Sequence, residues 1–126
     1  MRSISPRPIA EPEIAVVRTV LEKLPFYPIP RSTVDAVGDL TVVRTCECGC
    51  ACVDFEEPPN LAVAATPVAG GYGVTAAGAT VNVEVYGTPE VILALRILPL
   101  GHEDGTLPRL DSIGAMLPGC NVLGRR

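Results

Sequence analysis

Ala79-Thr80-Val81-Asn82-Val83-Glu84-Val85-Tyr86-Gly87-Thr88-Pro89-Glu90-Val91-Ile92-Leu93-Ala94-Leu95-Arg96-Ile97-Leu98 is the stretch on which the fold turns. Val81, Val83 and Val85 alternate with Thr80, Asn82, Glu84 and Tyr86, the period of a half-buried strand. Gly87-Thr88-Pro89-Glu90 supplies a turn, and Val91 to Leu98 returns. On the return strand Val91, Leu93, Leu95 and Ile97 share one face. Ile92, Ala94 and Leu98 make the other face apolar too, with Arg96 the exception. A strand apolar on both sides is central or covered, so this hairpin predicts the middle of an antiparallel sheet.

The helix that covers such a sheet is legible near the start. Glu11-Pro12-Glu13 has the residues of a helix N-terminus: proline suits the first turn and the acids complement the dipole. Ile14, Val17, Leu21 and Leu24 follow on one helical face, and Pro25 ends the pattern. Residues 1–10 read as a flexible, proline-containing arm. Ser32-Thr33-Val34-Asp35 reads as a single helical turn closed by Gly38. Leu40–Thr45, Cys50–Phe55 and Leu61–Thr66 read as further strands, separated in the last case by Glu57-Pro58-Pro59-Asn60. Gly70-Gly71-Tyr72-Gly73 reads as a flexible turn, since it lacks the Lys-Ser/Thr of a phosphate-binding loop. Beyond Pro99, Leu107-Pro108 and Leu117-Pro118 read as packed coil. The expectation is one α+β domain over residues 1–126, its N-terminal helix packed on a four- to five-stranded antiparallel sheet.

Composition narrows the function classes. A chain of 126 residues with 48% hydrophobic and 19% charged side chains has a core to bury. Its net charge of −4 and scattered basic residues supply no stripe for a phosphate backbone, which sets nucleic acid aside. No run approaches the roughly 20 apolar residues of a membrane helix, and the positive start has no apolar stretch behind it, unlike a signal peptide. Four of five cysteines are crowded into one run, with Cys120 apart, a poor disulfide framework; a reducing, cytoplasmic setting is expected.

That run, Cys46-Glu47-Cys48-Gly49-Cys50-Ala51-Cys52, is the chemically pointed feature. On a straight strand its cysteines would share one face at about 6.6 Å intervals, about 20 Å end to end. Four thiolates about 2.3 Å from one zinc must lie within roughly 4 Å of one another, so a straight run holds no metal and serves only packing. Gly49 admits a different course. A positive φ there lets the chain fold back and pair Leu40–Cys46 with Cys50–Phe55. Cys46, Cys48 and Cys50, with Cys52, His102 or Cys120 as weaker candidates, would then be available to zinc or copper. A thiol redox role is a third reading. It finds only Arg44 nearby to lower a thiol pKa, and Glu47 opposes it. His102-Glu103-Asp104 could supply an acid/base pair but reads more simply as a solvated turn, and no nucleophile elbow or cofactor fingerprint is present.

The stretch from Val42 to Phe55, with the Val81–Ile97 hairpin and Leu107-Pro108, resembles a family of small uncharacterised bacterial proteins with a C-x-C-G-C motif. The likeness runs from about residue 14 to 113 and places the motif on Cys46, Cys48 and Cys50. Cys52 stands where the family has a small hydroxyl residue, and Leu95-Arg96 where it has Leu-Glu. The resemblance implies a self-contained small domain and adds no function. Some such proteins act as accessory partners of other proteins. The leading expectation is a non-enzymatic accessory or protein-binding domain with a structural cysteine hairpin, working through a protein partner or as a homo-oligomer. The alternative is a zinc- or copper-binding module.

Overall fold

The structure, a computed structural model, describes residues 1–47, 49–56, 66–101 and 105–117. Strand β1 (Arg2–Pro8) leads into helix α1 (Glu11–Lys23). Helix α2 (Arg31–Ala36) follows and runs into a 3₁₀ turn at Val37–Asp39. Then come β2 (Thr41–Thr45), β3 (Val53–Asp54), β4 (Pro67–Val74), β5 (Thr80–Gly87), β6 (Ile92–Pro99) and a 3₁₀ turn at Leu110–Ser112. The strands form one sheet in the order β1-β2-β3-β6-β5-β4, every neighbour antiparallel. The α+β class is as expected, with six strands rather than four or five.

The β5–β6 hairpin is as read. Val83 lies opposite Ile97 and Val85 opposite Leu95, all four fully buried. Gly87 makes the turn at φ 146°; a β-carbon there would strike the carbonyl oxygen of Val91. Helix α1 packs on β4 and β5, placing Val17, Val20 and Leu21 in the same core. Each such side chain removed from water contributes about 1.5–3 kcal/mol. At the helix start the Ala10 N–H donates to the Glu13 carboxylate at 2.9 Å, and Arg7 grips that carboxylate with both Nη atoms at 3.0 and 2.9 Å. Burial alone would raise the Glu13 carboxyl. The Arg7 and Ala10 hydrogen bonds outweigh it and hold the group below its ordinary value. The short α2 is tied down by Arg18, which donates to the carbonyls of Val34 and Asp35.

Two elements differ from the sequence reading. Residues 1–10, read as an arm, contain β1, which pairs with β2. Its prolines are tolerated because it is an edge strand, and its ladder shifts register between Ser3 and Arg7. Gly70-Gly71-Tyr72-Gly73, read as a turn, lies inside β4. The glycines are there for close approach. A β-carbon on Gly71 would meet the Gly114 carbonyl oxygen and lie 2.6 Å from Leu24 Cδ1, and one on Gly73 would lie 2.7 Å from Pro108 Cβ. This contact lets the chain cover the outer edge of β4. Phe26 donates to the Val68 carbonyl, Gly70 to that of Leu24, and Arg109 to that of Val74, while Tyr72 and Gly114 exchange both backbone bonds. The Ser112 hydroxyl accepts from Val74 N–H at 2.8 Å. A sheet edge satisfied in this way cannot template another chain. The expected strand at Leu61–Thr66 falls largely outside the described residues. Among the described residues no helix is long and apolar enough to cross a membrane.

Candidate functional site

The chain does reverse at the cysteine run. Strands β2 and β3 pair antiparallel, with Arg44 opposite Asp54 and Thr45 opposite Val53, so Cys46 to Cys52 form the hairpin's loop rather than a straight strand. Gly49 sits at φ 89° and donates its N–H to the Cys46 carbonyl at 3.4 Å, closing a turn that a side chain at this φ would strain. The other side of the loop is anchored outside the sheet: Ala51 N–H donates to the Gly105 carbonyl at 2.7 Å, and Gly105 lies against Cys50.

The cysteines of this loop are not equivalent. Cys46 and Cys50 are half-buried, whereas Cys52 is 4% exposed. The Cys52 thiol continues the sheet where β3 stops: Sγ accepts from the Ile97 N–H at 3.3 Å and donates to the Ile97 carbonyl at 3.5 Å. One side chain thereby satisfies both backbone groups of a fully buried β6 residue. No disulfide joins Cys46, Cys50 and Cys52, and among the described residues no group of three or more His, Cys, Asp or Glu could hold a metal ion. The candidates Cys48, His102 and Cys120 lie outside the described residues. Arg44, the cation that the redox reading looked to, is directed at Asp54, its Nε 3.5 Å from Oδ2.

That contact belongs to a charged row across the sheet. Asp54, 1% exposed, has Arg44 on one side and Arg96 on the other, with Arg96 Nη2 2.6 Å from Oδ1. Arg96 also donates to the carbonyls of Val53 and Leu95, and lies opposite Glu84 on β5. Glu84 in turn accepts from the Tyr86 hydroxyl at 2.6 Å. Burial is the main reason the Tyr86 phenol is pushed up to about 12, with the Glu84 hydrogen bond and charge adding to it and Arg96 opposing. Sequence reasoning missed this row as a unit. Its one signal was Arg96, the single charge on an otherwise apolar strand.

A third feature lies after the first helix. After α1 ends, Phe26 and Tyr27 are 54% and 48% exposed. Beside them Leu21, Pro25, Ile29 and Val34, together with Glu22 and Arg31, line a groove of about 360 Å³. Arg31 is bonded both to Glu22, at 2.7 Å, and to Asp35, at 3.1 Å. A smaller apolar pocket of about 140 Å³ lies between α2 and β6, walled by Val37, Leu40, Val91 and Ile92.

Comparison with protein-family models, curated proteins and solved structures finds no match to this chain.

Proposed function

We propose that the chain is a small non-enzymatic protein-binding domain of the accessory kind, that its cysteine hairpin is structural, and that it binds through the surface around Phe26 and Tyr27. The observation that carries this reading is the pair of aromatic side chains left about half exposed beside a groove of mixed polar and apolar lining. Large apolar groups gathered on a surface mark interaction sites. The Cys52 thiol, committed to Ile97, supports the structural role of the hairpin.

The partner is a second copy of this chain. Knob and groove are neighbours on one surface, Phe26 and Tyr27 following the groove wall at Pro25 directly. A two-fold apposition therefore lets each copy's aromatics enter the other's groove at once. Sedimentation velocity tests it. The wild type is expected to sediment as a dimer at micromolar concentration, and the Phe26→Ser/Tyr27→Ser variant as a folded monomer. A monomeric wild type at all concentrations refutes the reading.

A second reading, zinc or copper held by Cys46, Cys48 and Cys50, draws support from the turn at Gly49, which folds the run back on itself as a metal site requires. Elemental analysis of protein purified without chelator, with thiol counting before and after denaturation, tests it. A stoichiometric metal whose removal unfolds the protein is expected, and metal-free folded protein refutes it.

A further inference from the structure

We propose that Cys46 and Cys50 are a site of reversible oxidative modification, at which a small-molecule disulfide of the glutathione class converts the two thiols into one disulfide across the tip of the β2–β3 hairpin. The proposal goes beyond the protein-binding reading and does not rest on it. The three described thiols of the loop differ in reach and commitment. Cys52 is 4% exposed, and its Sγ is engaged with both backbone groups of Ile97, so a reagent in solution does not reach it. Cys46 and Cys50 are half-buried, which leaves part of each in contact with solvent.

The backbone supplies the proximity. Thr45 lies opposite Val53, so the two ends of the loop are held side by side. Within it the Cys46 carbonyl accepts from the Gly49 N–H, and the chain has turned before it reaches Cys50. Such a turn brings its first and fourth Cα atoms within about 7 Å, and a disulfide spans Cα atoms about 4.4–6.8 Å apart. The two thiols are unbonded in this structure, so closure requires a backbone adjustment. Gly49 is the joint for it: its φ is 89°, and the space where a β-carbon would stand is open to 4 Å. The Cys50 side is the fixed one, held by the Ala51 bond to Gly105 and by Gly105 against Cys50. Neither thiol is set up for rapid turnover. Arg44 is directed at Asp54, and Glu47, exposed beside Cys46, opposes the thiolate. Slow exchange of this kind suits a redox-responsive pair in a reducing compartment rather than a catalytic one.

In the exchange, one cysteine thiolate attacks a sulfur of glutathione disulfide, forming a protein–glutathione S–S bond and expelling a glutathione thiolate that takes up a proton. The second cysteine, as thiolate, attacks the protein sulfur of that mixed disulfide, forming the Cys46–Cys50 bond and expelling the second glutathione. The protein loses two electrons and two protons, and one glutathione disulfide becomes two glutathiones.

The test is disulfide mapping of the full wild-type chain, first stripped of any metal with chelator, after incubation with glutathione disulfide and alkylation of the remaining thiols. Cleavage after Glu47 and Glu56 separates Cys46 from Cys50, so a linked peptide pair reports the bridge and its fragmentation places it. A single-chain product lighter by two hydrogens is expected, with Cys46 joined to Cys50, Cys52 alkylated only after denaturation, and reversal by dithiothreitol. Cys48→Ser should form the same bridge. Cys48→Ser/Cys50→Ser should stop at one glutathione on Cys46. A bridge through Cys48 or Cys52, a bridge between two chains, adducts that never resolve, or no reaction in the wild type overturns the proposal. The wild-type map decides even if a variant does not fold, and metal found before chelation bears only on the metal reading.

Discussion

Replacing Gly71 by alanine asks directly whether this glycine belongs to a packed strand or to a loose turn. In β4 the added β-carbon would run into the Gly114 carbonyl oxygen and come within 2.6 Å of Leu24 Cδ1. The leucine tip can rotate, but the carbonyl is backbone and already accepts from the Tyr72 N–H at 2.8 Å. Relief therefore means pushing residues 113–115 off the sheet edge. Overpacking of this kind costs about 1–3 kcal/mol. The two bonds exchanged by Tyr72 and Gly114 are worth about 1 kcal/mol each if lost. Against this, removing a glycine stiffens the unfolded chain and returns about 0.4–1 kcal/mol. The contributions overlap, and a net destabilisation of about 2–3 kcal/mol is expected, a large share of the 5–15 kcal/mol typical of a domain. Gly114→Ala is the matched control. Its β-carbon meets nothing within 4 Å, and its φ is not positive, so its effect should be within about 1 kcal/mol of zero. Urea unfolding followed by far-ultraviolet circular dichroism measures both. A neutral or stabilised Gly71→Ala would refute the close-approach account of β4.

Cys52→Ala should destabilise by about 1–3 kcal/mol, because it leaves the buried N–H and carbonyl of Ile97 without their partner; Cys52 should also alkylate more slowly than Cys46 or Cys50 in the folded protein, as thiol counting over time would show. Glu13 has a lowered folded pKa, so its pairing with Arg7 contributes stability in full above the ordinary carboxylate value of 4.5, and that contribution is lost as pH falls through the lower folded value. Acid unfolding curves of Glu13→Gln should accordingly be flatter than wild type in that window, and identical curves would refute the linkage. Tyr86 should ionise at about 12, seen by phenolate absorbance, and Glu84→Gln should move it back toward 10.0 while leaving Tyr27 and Tyr72 in place.

Local pattern alone determined the parts of this protein whose residues speak to their neighbours in the chain. Val81, Val83 and Val85 alternate, Gly87 turns, and Ile14, Val17 and Leu21 recur at helical spacing, so the central hairpin and the helix that covers it were legible from 126 letters. The reversal at Gly49 was legible as a possibility, because glycine's backbone permits a positive φ but does not require one. Tertiary contact decided the rest. The glycines of β4 look like a turn until Leu24, Pro108 and Gly114 are brought against them, when absent side chains become the space for three other segments. The proline-bearing N-terminus becomes β1 only because β2 offers it an edge. Arg44, Asp54 and Arg96 become neighbours only when β3 inserts between β2 and β6, a pairing that joins residues 42 positions apart. Cys52 likewise acquires its role from Ile97, 45 positions away. Periodicity reports which face of a segment is buried, but it carries no information on which distant segment will bury it.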